Sequence, residues 1–331
     1  MTALPHPFQP TGLLRNPHLQ GIASRLPSRR ARIEQASRVL RDNGRSILLQ
    51  GGDALLLGWL SQHPRSVATM TRPLVVLIHG WEGSSDSLYL LATATEAYQA
   101  GFDVLRLNLR DHGDSHHLNP ELFHSCRDEE VALAVLDAMR RLQPSSLALA
   151  GFSLGGNFAM RVSLRLRQAP LKQVVAVCPV ISPPATLRAL ETGPLLYRRY
   201  FLHKWKESLQ RKAAVHPEQF PDDRWRHLPS LTELTAHFVA QHTDYPSLLD
   251  YLHGYAMTEA KLAALPVPTH VLVAADDPVI PVDDWLAVAK PPQLTLEVSP
   301  FGGHCGFVSN WALEGWSERR VVELLQQALA D

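Results

Sequence analysis

The sequence predicts an α/β fold in which a mostly parallel central sheet carries helices on both faces. Short, continuously apolar runs rich in β-branched residues alternate along the chain with segments of helical periodicity. The apolar runs are too short for core helices, so we interpret them as strands buried on both sides in βαβ units. A Gly-x-Ser-x-Gly frame directly follows one of these runs, as in the sharp strand-to-helix turn that presents a catalytic serine.

Length and composition favour one enzyme-sized domain over residues 1–331, with no nucleic-acid partner. The 32 basic and 32 acidic side chains balance, so no overall charge favours nucleic acid or an acidic membrane. The three cysteines form no CxxC pair, which suits a reducing compartment. The first 21 residues lack the basic region and the apolar core of a signal peptide, and no stretch reaches the roughly 18 apolar residues of a membrane span. We therefore expect a cytoplasmic protein without stable membrane insertion.

Residues 1–60 precede the alternating strands and helices. Residues 1–40 are rich in proline and arginine with weak periodicity, and we expect an extended segment on the domain surface. Residues 46–60 predict two short strands around the turn Gly51-Gly52-Asp53, a hairpin signal.

The alternating elements then follow in order. Strands are predicted at 73–80, 102–109, 145–152, 171–180, within 269–281 and at 293–300. Helices are predicted near 85–99, 126–142, 155–168 and 311–330. Between the fourth and fifth of these strands, residues 182–265 carry helical patterns and no convincing strand. This segment predicts a helical cap inserted into the domain.

Ser153 is the candidate nucleophile. A strand-turn-helix elbow strains the serine backbone, and only small residues fit two positions away. Gly151 and Gly155 meet that requirement. The alternative is an ordinary serine in a glycine-rich turn.

A serine hydroxyl needs a base, and the base needs an acid that orients it. In this arrangement the order along the chain is serine, acid, histidine. His304 lies in a glycine-flanked loop after the last strand and is the candidate base. Asp276 and Asp277 both follow the preceding strand. We favour Asp277 as the acid, because it immediately precedes the turn into the next segment, and expect Asp276 to brace the loop.

The oxyanion that forms during acyl transfer needs two preorganised donors. One is expected to be the backbone N–H of Leu154, next after the serine. The other is expected from the loop "HGWEGSS", where Gly80 lets the chain turn and the N–H of Trp81 points inward. His79 is expected to support this loop rather than to take a proton.

No metal or cofactor is predicted. The segment 108–117 crowds together the acidic and imidazole side chains of Asp111, His112, Asp114, His116 and His117. No second cluster stands at a metal-binding spacing, so we interpret this segment as a structured loop held by Arg110 and Asp111.

An aromatic stripe lies within the predicted cap. Tyr197, Phe201, Trp205 and Leu209 recur every four residues, which places them on one helical face. We expect this face to pack on the core, and the alternative is a lid that contacts acyl chains or a lipid surface.

Five motifs in this order, "NPHLQ", "HGWEGSS", "GFSLGGN", "AADDP" and "GGHCGF", resemble the YheT-like branch of the α/β-hydrolases, which also contains eukaryotic ABHD-type lipases. The resemblance implies the α/β-hydrolase fold and a cofactor-free serine hydrolase. It matches Ser153 to the nucleophile, Asp277 to the acid and His304 to the base. The implied substrates are carboxylic esters, either short-chain esters or acylglycerols.

The sequence therefore predicts a serine carboxylesterase or acylglycerol lipase whose partner is a small-molecule ester or lipid substrate. Two alternatives stay open. One is a non-catalytic binding protein that keeps the fold, and the other is an acyltransferase or thioesterase that uses the same three side chains.

Overall fold

The computed structural model describes residues 4–5, 8–64 and 71–329. Within them the chain forms one nine-stranded sheet with the strand order β1-β9-β8-β7-β6-β4-β5-β3-β2. The strands are β1 (Leu4–Pro5), β2 (Gly44–Gly51), β3 (Ala54–Ser61), β4 (Leu74–Ile78), β5 (Asp103–Leu107), β6 (Leu147–Phe152), β7 (Leu171–Val177), β8 (Thr269–Ala274) and β9 (Leu294–Ser299). Only the pairs β2–β3 and β3–β5 are antiparallel in this sheet.

The helices before the central strands and between them are α1 (Pro17–Ala23), α2 (Pro27–Ala36), α3 (Arg38–Asp42), α4 (Leu88–Gln99), α5 (Asp128–Leu142) and α6 (Leu154–Arg165). The later helices are α7 (Pro183–Thr192), α8 (Leu195–Val215), α9 (Arg224–His227), α10 (Leu231–His242), α11 (Leu248–Gly254), α12 (Glu259–Ala263), α13 (Val282–Ala287) and α14 (Trp316–Leu329). Two short 3₁₀ helices cover Gly12–Arg15 and Pro217–Gln219.

The predicted α/β class is confirmed. Every residue of β4, β5 and β6 is buried, because α5 and α6 cover one face of the sheet while α4 and α14 cover the other. All six predicted central strands are present over shorter ranges, and the predicted hairpin is β2 and β3. Helix α13, between β8 and β9, was not predicted.

The expectation of an extended N-terminal segment is wrong for most of its length. Helices α1 and α2 begin at Pro17 and Pro27, and Asn16 caps α1 by accepting from the N–H groups of His18 and Leu19. Proline fits the first turn of a helix, where its missing N–H has no intrahelical acceptor. Pro17 and Pro27 thus mark helix starts. The high proline content alone wrongly suggested an extended segment.

Six helices, α7 to α12, lie between β7 and β8, within residues 183–263, all of which the structure describes. The aromatic stripe of α8 faces inward: Phe201, Trp205 and Leu209 are buried, and Tyr197 is half-buried. These three residues belong to the main apolar core, so the stripe packs on the core as expected. Phe201 and Trp205 also line a cavity beside Ser153.

A buried ion pair joins α8 to the loop after β5. Lys212 Nζ lies 2.7 Å from Asp111 Oδ1, with both side chains buried. The same ammonium donates to the carbonyl oxygens of His116 and Asn119. Arg110, in the same loop, pairs with Glu130 of α5 at 2.7 Å. The loop is therefore structured around Arg110 and Asp111.

No group of three or more His, Cys, Asp or Glu side chains in the described part of the chain could hold a metal ion. None of its helices combines the length and apolar composition needed to cross a lipid bilayer.

The Lys212–Asp111 pair yields a stability prediction. Lys212→Met leaves the Asp111 carboxylate buried without its cation, so we expect the free energy of unfolding to fall by about 3–5 kcal/mol. The double variant Lys212→Met/Asp111→Asn removes both charges, so its free energy of unfolding should fall by less than that of Lys212→Met. Urea unfolding followed by circular dichroism measures both. A single variant as stable as the wild type would contradict the role given to this pair.

Candidate active site

Ser153 occupies a strained turn between β6 and α6. Its backbone has φ 54° and ψ −121°, a conformation that is costly for a residue with a side chain. Close packing enforces it. A Cβ on Gly151 would collide with the carbonyl of Gly155, and a Cβ on Gly155 would collide with the carbonyl oxygens of Ile78 and His79. The two glycines thus let the start of α6 lie against the end of β4, with the serine at the apex.

The elbow brings Ser153 to two side chains that are distant in sequence. His304 Nε2 lies 2.9 Å from Ser153 Oγ, and His304 Nδ1 lies 2.8 Å from Asp277 Oδ2. In this arrangement the imidazole can take the serine proton while its other nitrogen donates to the carboxylate.

Asp277, and not Asp276, contacts the imidazole. The other carboxylate oxygen of Asp277 accepts from the N–H groups of Val279 and Ile280, at 2.8 and 3.0 Å, and its side chain is only 1% exposed. Asp276 instead accepts from the N–H of Gly303, next to the histidine, at 2.8 Å. It braces the loop of His304, the position expected for it from the sequence.

The two histidines at this site have opposite pKa shifts. Burial alone lowers the pKa of His304, but the Asp277 carboxylate and, after it, Cys305 outweigh burial, and the pKa rises from 6.5 to about 9. At His79 burial, and after it the neighbouring His112, lower the pKa to about 3, and no carboxylate among the described residues offsets them. His79 is therefore neutral at physiological pH, whereas the charge of His304 depends on pH.

The loop after β4 lies against the serine. A Cβ on Gly80 would come within 3.2 Å of Ser153 Cβ, so glycine is what allows this approach. Within the described part of the chain, the backbone N–H groups of Trp81 and Leu154 have no protein acceptor. Both predicted oxyanion donors are thus available beside the serine.

Two side chains fix that loop. His79 Nδ1 donates to the carbonyl of Gly80 at 2.8 Å, while His79 Nε2 accepts from the N–H of Leu109 at 3.1 Å. The hydroxyl of Tyr89 accepts from the N–H of Gly80 at 2.9 Å. His79 lies in the supporting position that the sequence indicated.

Sequence reasoning missed Tyr89 and two polar residues of α6. Asn157 donates to the carbonyl oxygens of Val180 and Tyr255, each at 2.8 Å, one at either end of the helical insertion. Arg161 donates to Asn157 Oδ1 at 2.8 Å. Asn157 and Arg161 are the polar residues of the segment 154–162, which is otherwise apolar or glycine. Their spacing of four places them on one face of the helix, and this is the signal that could have identified the contact between α6 and the insertion. No comparable signal marks Tyr89.

An apolar cavity of about 100 Å³ opens on one side of Ser153. Its walls come from the loop after β4, the start of α6 and the cap helices α7, α8, α10 and α11. Its apolar lining includes Trp81, Leu154, Leu187, Leu190, Phe201, Trp205, Phe238 and Leu252. Phe201 stacks on Trp81 at a centroid distance of 5.6 Å, and Trp205 meets Trp81 edge-on at 5.3 Å.

A family model for the α/β hydrolase fold matches residues 73–310, more than half of the chain. The chain belongs to the α/β-hydrolase family. This confirms the family indicated by the sequence motifs. The matched range of this α/β hydrolase includes the serine elbow, both aspartates and His304.

Individual relatives agree with this assignment. The candidate esterase YheT of Escherichia coli strain K12 is 26% identical, over 96% of this chain and 92% of its own length. Phospholipase ABHD3 of Mus musculus is 24% identical, over 85% of this chain and 70% of its own length. The Pyrococcus furiosus esterase Pf2001 superimposes with a TM-score of 0.56 at 14% identity, covering 86% of this chain and 93% of that one. The α/β hydrolase described here thus has relatives named as esterases and phospholipases.

The glycine packing at the elbow is testable. Gly155→Ala places a methyl group against the carbonyls of Ile78 and His79, so the start of α6 must move, and we expect a loss of about 1–3 kcal/mol or more of stability. Gly21→Ala is the matched control, because its Cβ meets only Tyr197 Oη, at 3.7 Å. Thermal unfolding compares the two. Equal melting temperatures would contradict the packing constraint.

The His304–Asp277 contact predicts a pH profile. A base must be neutral to take a proton, so kcat/KM for ester hydrolysis should rise with pH through the pKa of His304, near 9 and above its ordinary value of 6.5. In Asp277→Asn, burial lowers the pKa of His304 without the opposing effect of the carboxylate. The rise of kcat/KM should therefore move to lower pH. Activity should also fall about 10⁴-fold. An unchanged profile in this variant would argue against the contact.

Proposed function

We propose that this α/β hydrolase is a serine carboxylic ester hydrolase that works through an acyl-enzyme on Ser153. The observation that carries the proposal is the continuous hydrogen-bonded chain Ser153–His304–Asp277 at a strained elbow. An apolar cavity on one side of the serine and two backbone donors beside it supply the other requirements of acyl transfer.

The reaction uses these groups in two stages. His304 Nε2 takes the proton of Ser153 as Oγ attacks the ester carbonyl carbon. The C–O bond to the alcohol then breaks, and His304 returns the proton to the departing alcohol oxygen. Water, deprotonated by the same imidazole, next attacks the acyl-enzyme and releases the acid. Asp277 holds the imidazole in the required tautomer and stabilises its charged form.

The backbone supplies the electrostatic stabilisation. The N–H groups of Trp81 and Leu154 donate to the oxyanion of each tetrahedral intermediate. Because both amides are fixed by the turn around them, they need little reorganisation when charge develops. His79 and Tyr89 act as positioning residues for the loop that carries the Trp81 amide.

The cavity indicates the acyl group. Its lining is mostly aliphatic and aromatic, and its volume of about 100 Å³ is on the order of cavities that hold one benzene-sized ligand. A short acyl chain fits this space as the cap stands. The names of the relatives, esterase and phospholipase, support ester cleavage in general.

The proposal is tested by removing the nucleophile. Ser153→Ala should leave a folded protein whose turnover of 4-nitrophenyl butyrate is lower by about 10³-fold or more. Circular dichroism and thermal unfolding check the fold. Near-normal turnover in this variant would overturn the assignment.

Labelling of the wild type separates the alternative functions. A fluorophosphonate probe should label the wild type and not Ser153→Ala. A folded wild type that neither hydrolyses esters nor reacts with the probe would indicate a binding protein that keeps the fold. Transfer of the acyl group to an added alcohol or thiol in preference to water would indicate an acyltransferase.

A further inference from the structure

We propose that a second cavity beside Ser153 binds the alcohol part of the substrate, and that this alcohol carries a phosphate group held by Arg25. We call it the polar cavity, because polar atoms form a larger share of its lining than of the lining of the first cavity. The inference rests on the proposed function and names its substrate class. This cavity lies between the N-terminal helices, the loop after β4 and the beginning of α8. Its lining includes Arg25, Gly80, Ser153, Tyr200 and His304.

The chemistry of the leaving group decides which cavity takes the alcohol. His304 must protonate the alcohol oxygen as the ester bond breaks, so the alcohol has to leave on the side that His304 faces. His304 lines the polar cavity and is absent from the lining of the apolar one, whereas Ser153 lines both. The acyl chain therefore occupies the apolar cavity, and the alcohol occupies the polar one.

Arg25 is the cation available in the polar cavity. Its guanidinium lies 4.6 Å from the ring centroid of Tyr200, a stacked position that leaves the N–H edges of the guanidinium open to a ligand. Within the described residues Arg25 has no carboxylate within ion-pair distance. Its charge is close enough to act on His304, whose pKa it lowers slightly against the larger effects of burial and Asp277.

The other two arginines of this cavity are already paired. Arg29 is buried and lies 2.5 Å from Glu318 Oε1, and it also donates to the carbonyl of Leu313. Arg30 lies 3.5 Å from Glu34 Oε1 on the same helix. Neither arginine is as free as Arg25 to meet a ligand.

The carboxyl group of Glu82 also lines this cavity and could oppose an anion. Burial raises the pKa of Glu82 to about 8, although Arg211 and Lys204 act in the opposite direction. Glu82 is therefore mostly protonated at pH 7 and adds little negative charge. Three arginines and one glutamate line this cavity, so its charged side chains favour an anionic group.

Phosphate fits this site better than a neutral alcohol. A guanidinium donates two parallel hydrogen bonds to a phosphate, which holds the ester in one orientation. A neutral alcohol would leave Arg25 without that contact. The matched test substrates are 1-butyrylglycerol and 1-butyrylglycerol 3-phosphate, which share the acyl chain and the glycerol and differ only in the phosphate.

The experiment compares kcat/KM for the two esters at pH 7 in the full-length protein. The wild type should prefer the phosphate ester by about tenfold or more, and Arg25→Gln should lose about tenfold on that ester alone. Arg25→Lys should retain part of the preference. Arg38→Gln, which removes an exposed charge on α3 outside the cavity lining, should change neither rate.

Two further measurements distinguish the source of the phosphate. Inorganic phosphate should inhibit hydrolysis of 1-butyrylglycerol competitively in the wild type and weakly in Arg25→Gln. Lysophosphatidic acid in detergent micelles tests the lipid form of the same ester. An Arg25→Gln effect on micelles alone would mean that the arginine attracts a charged lipid surface, and this result overturns the subsite.

The remaining outcomes are separable. Equal preference in the wild type and Arg25→Gln, with both esters hydrolysed, overturns the subsite and leaves the esterase function standing. No hydrolysis of either ester by the wild type, together with no fluorophosphonate labelling, overturns the proposed function and the subsite with it.

Discussion

The close approach of α6 to the end of β4 is the constraint on which the rest of the site depends. Because Gly155 has no side chain, the first turn of α6 lies against the carbonyls of Ile78 and His79. The chain must then reverse sharply at Ser153, whose φ of 54° is costly for any residue with a Cβ. The sharp turn places Ser153 next to the loop that carries Gly80 and the Trp81 amide. The nucleophile and the oxyanion donors are positioned by the same packing contact.

Burial and a single carboxylate give two neighbouring histidines different roles. Burial disfavours the charged imidazole at both positions. His79 has backbone partners on both ring nitrogens and stays neutral, so it serves as a fixed support. His304 faces Asp277, which stabilises its cation, and so it can accept a proton from the serine. The carboxylate of Asp277 is held in this orientation because two backbone N–H groups donate to its other oxygen.

Ser153 lies where two cavities of different character meet. The cap helices supply aromatic and aliphatic walls on one side, and the N-terminal helices supply an arginine on the other. The N-terminal segment reaches the cap directly, through His18 to the hydroxyl of Tyr197 at 3.1 Å and through Arg25 stacked on Tyr200. The segment that composition marked as a surface extension is thus one wall of the site. Under the proposed function, substrate selection depends on elements outside the sheet that carries Ser153.

The sequence by itself determined the order of the strands along the chain, the elbow at Ser153 and the candidates Asp277 and His304. These features have local signatures, because buried strands need continuous apolar runs and a strained turn needs small neighbours. Only the tertiary structure decided that Asp277 contacts the imidazole while Asp276 holds the adjacent loop, since adjacent carboxylates differ only in where the folded chain points them. It also decided the role of the N-terminal helices, the support by Tyr89 and the contact of Asn157 with the insertion. Those contacts join residues that are distant in sequence, so the local pattern of apolar and polar residues does not predict them.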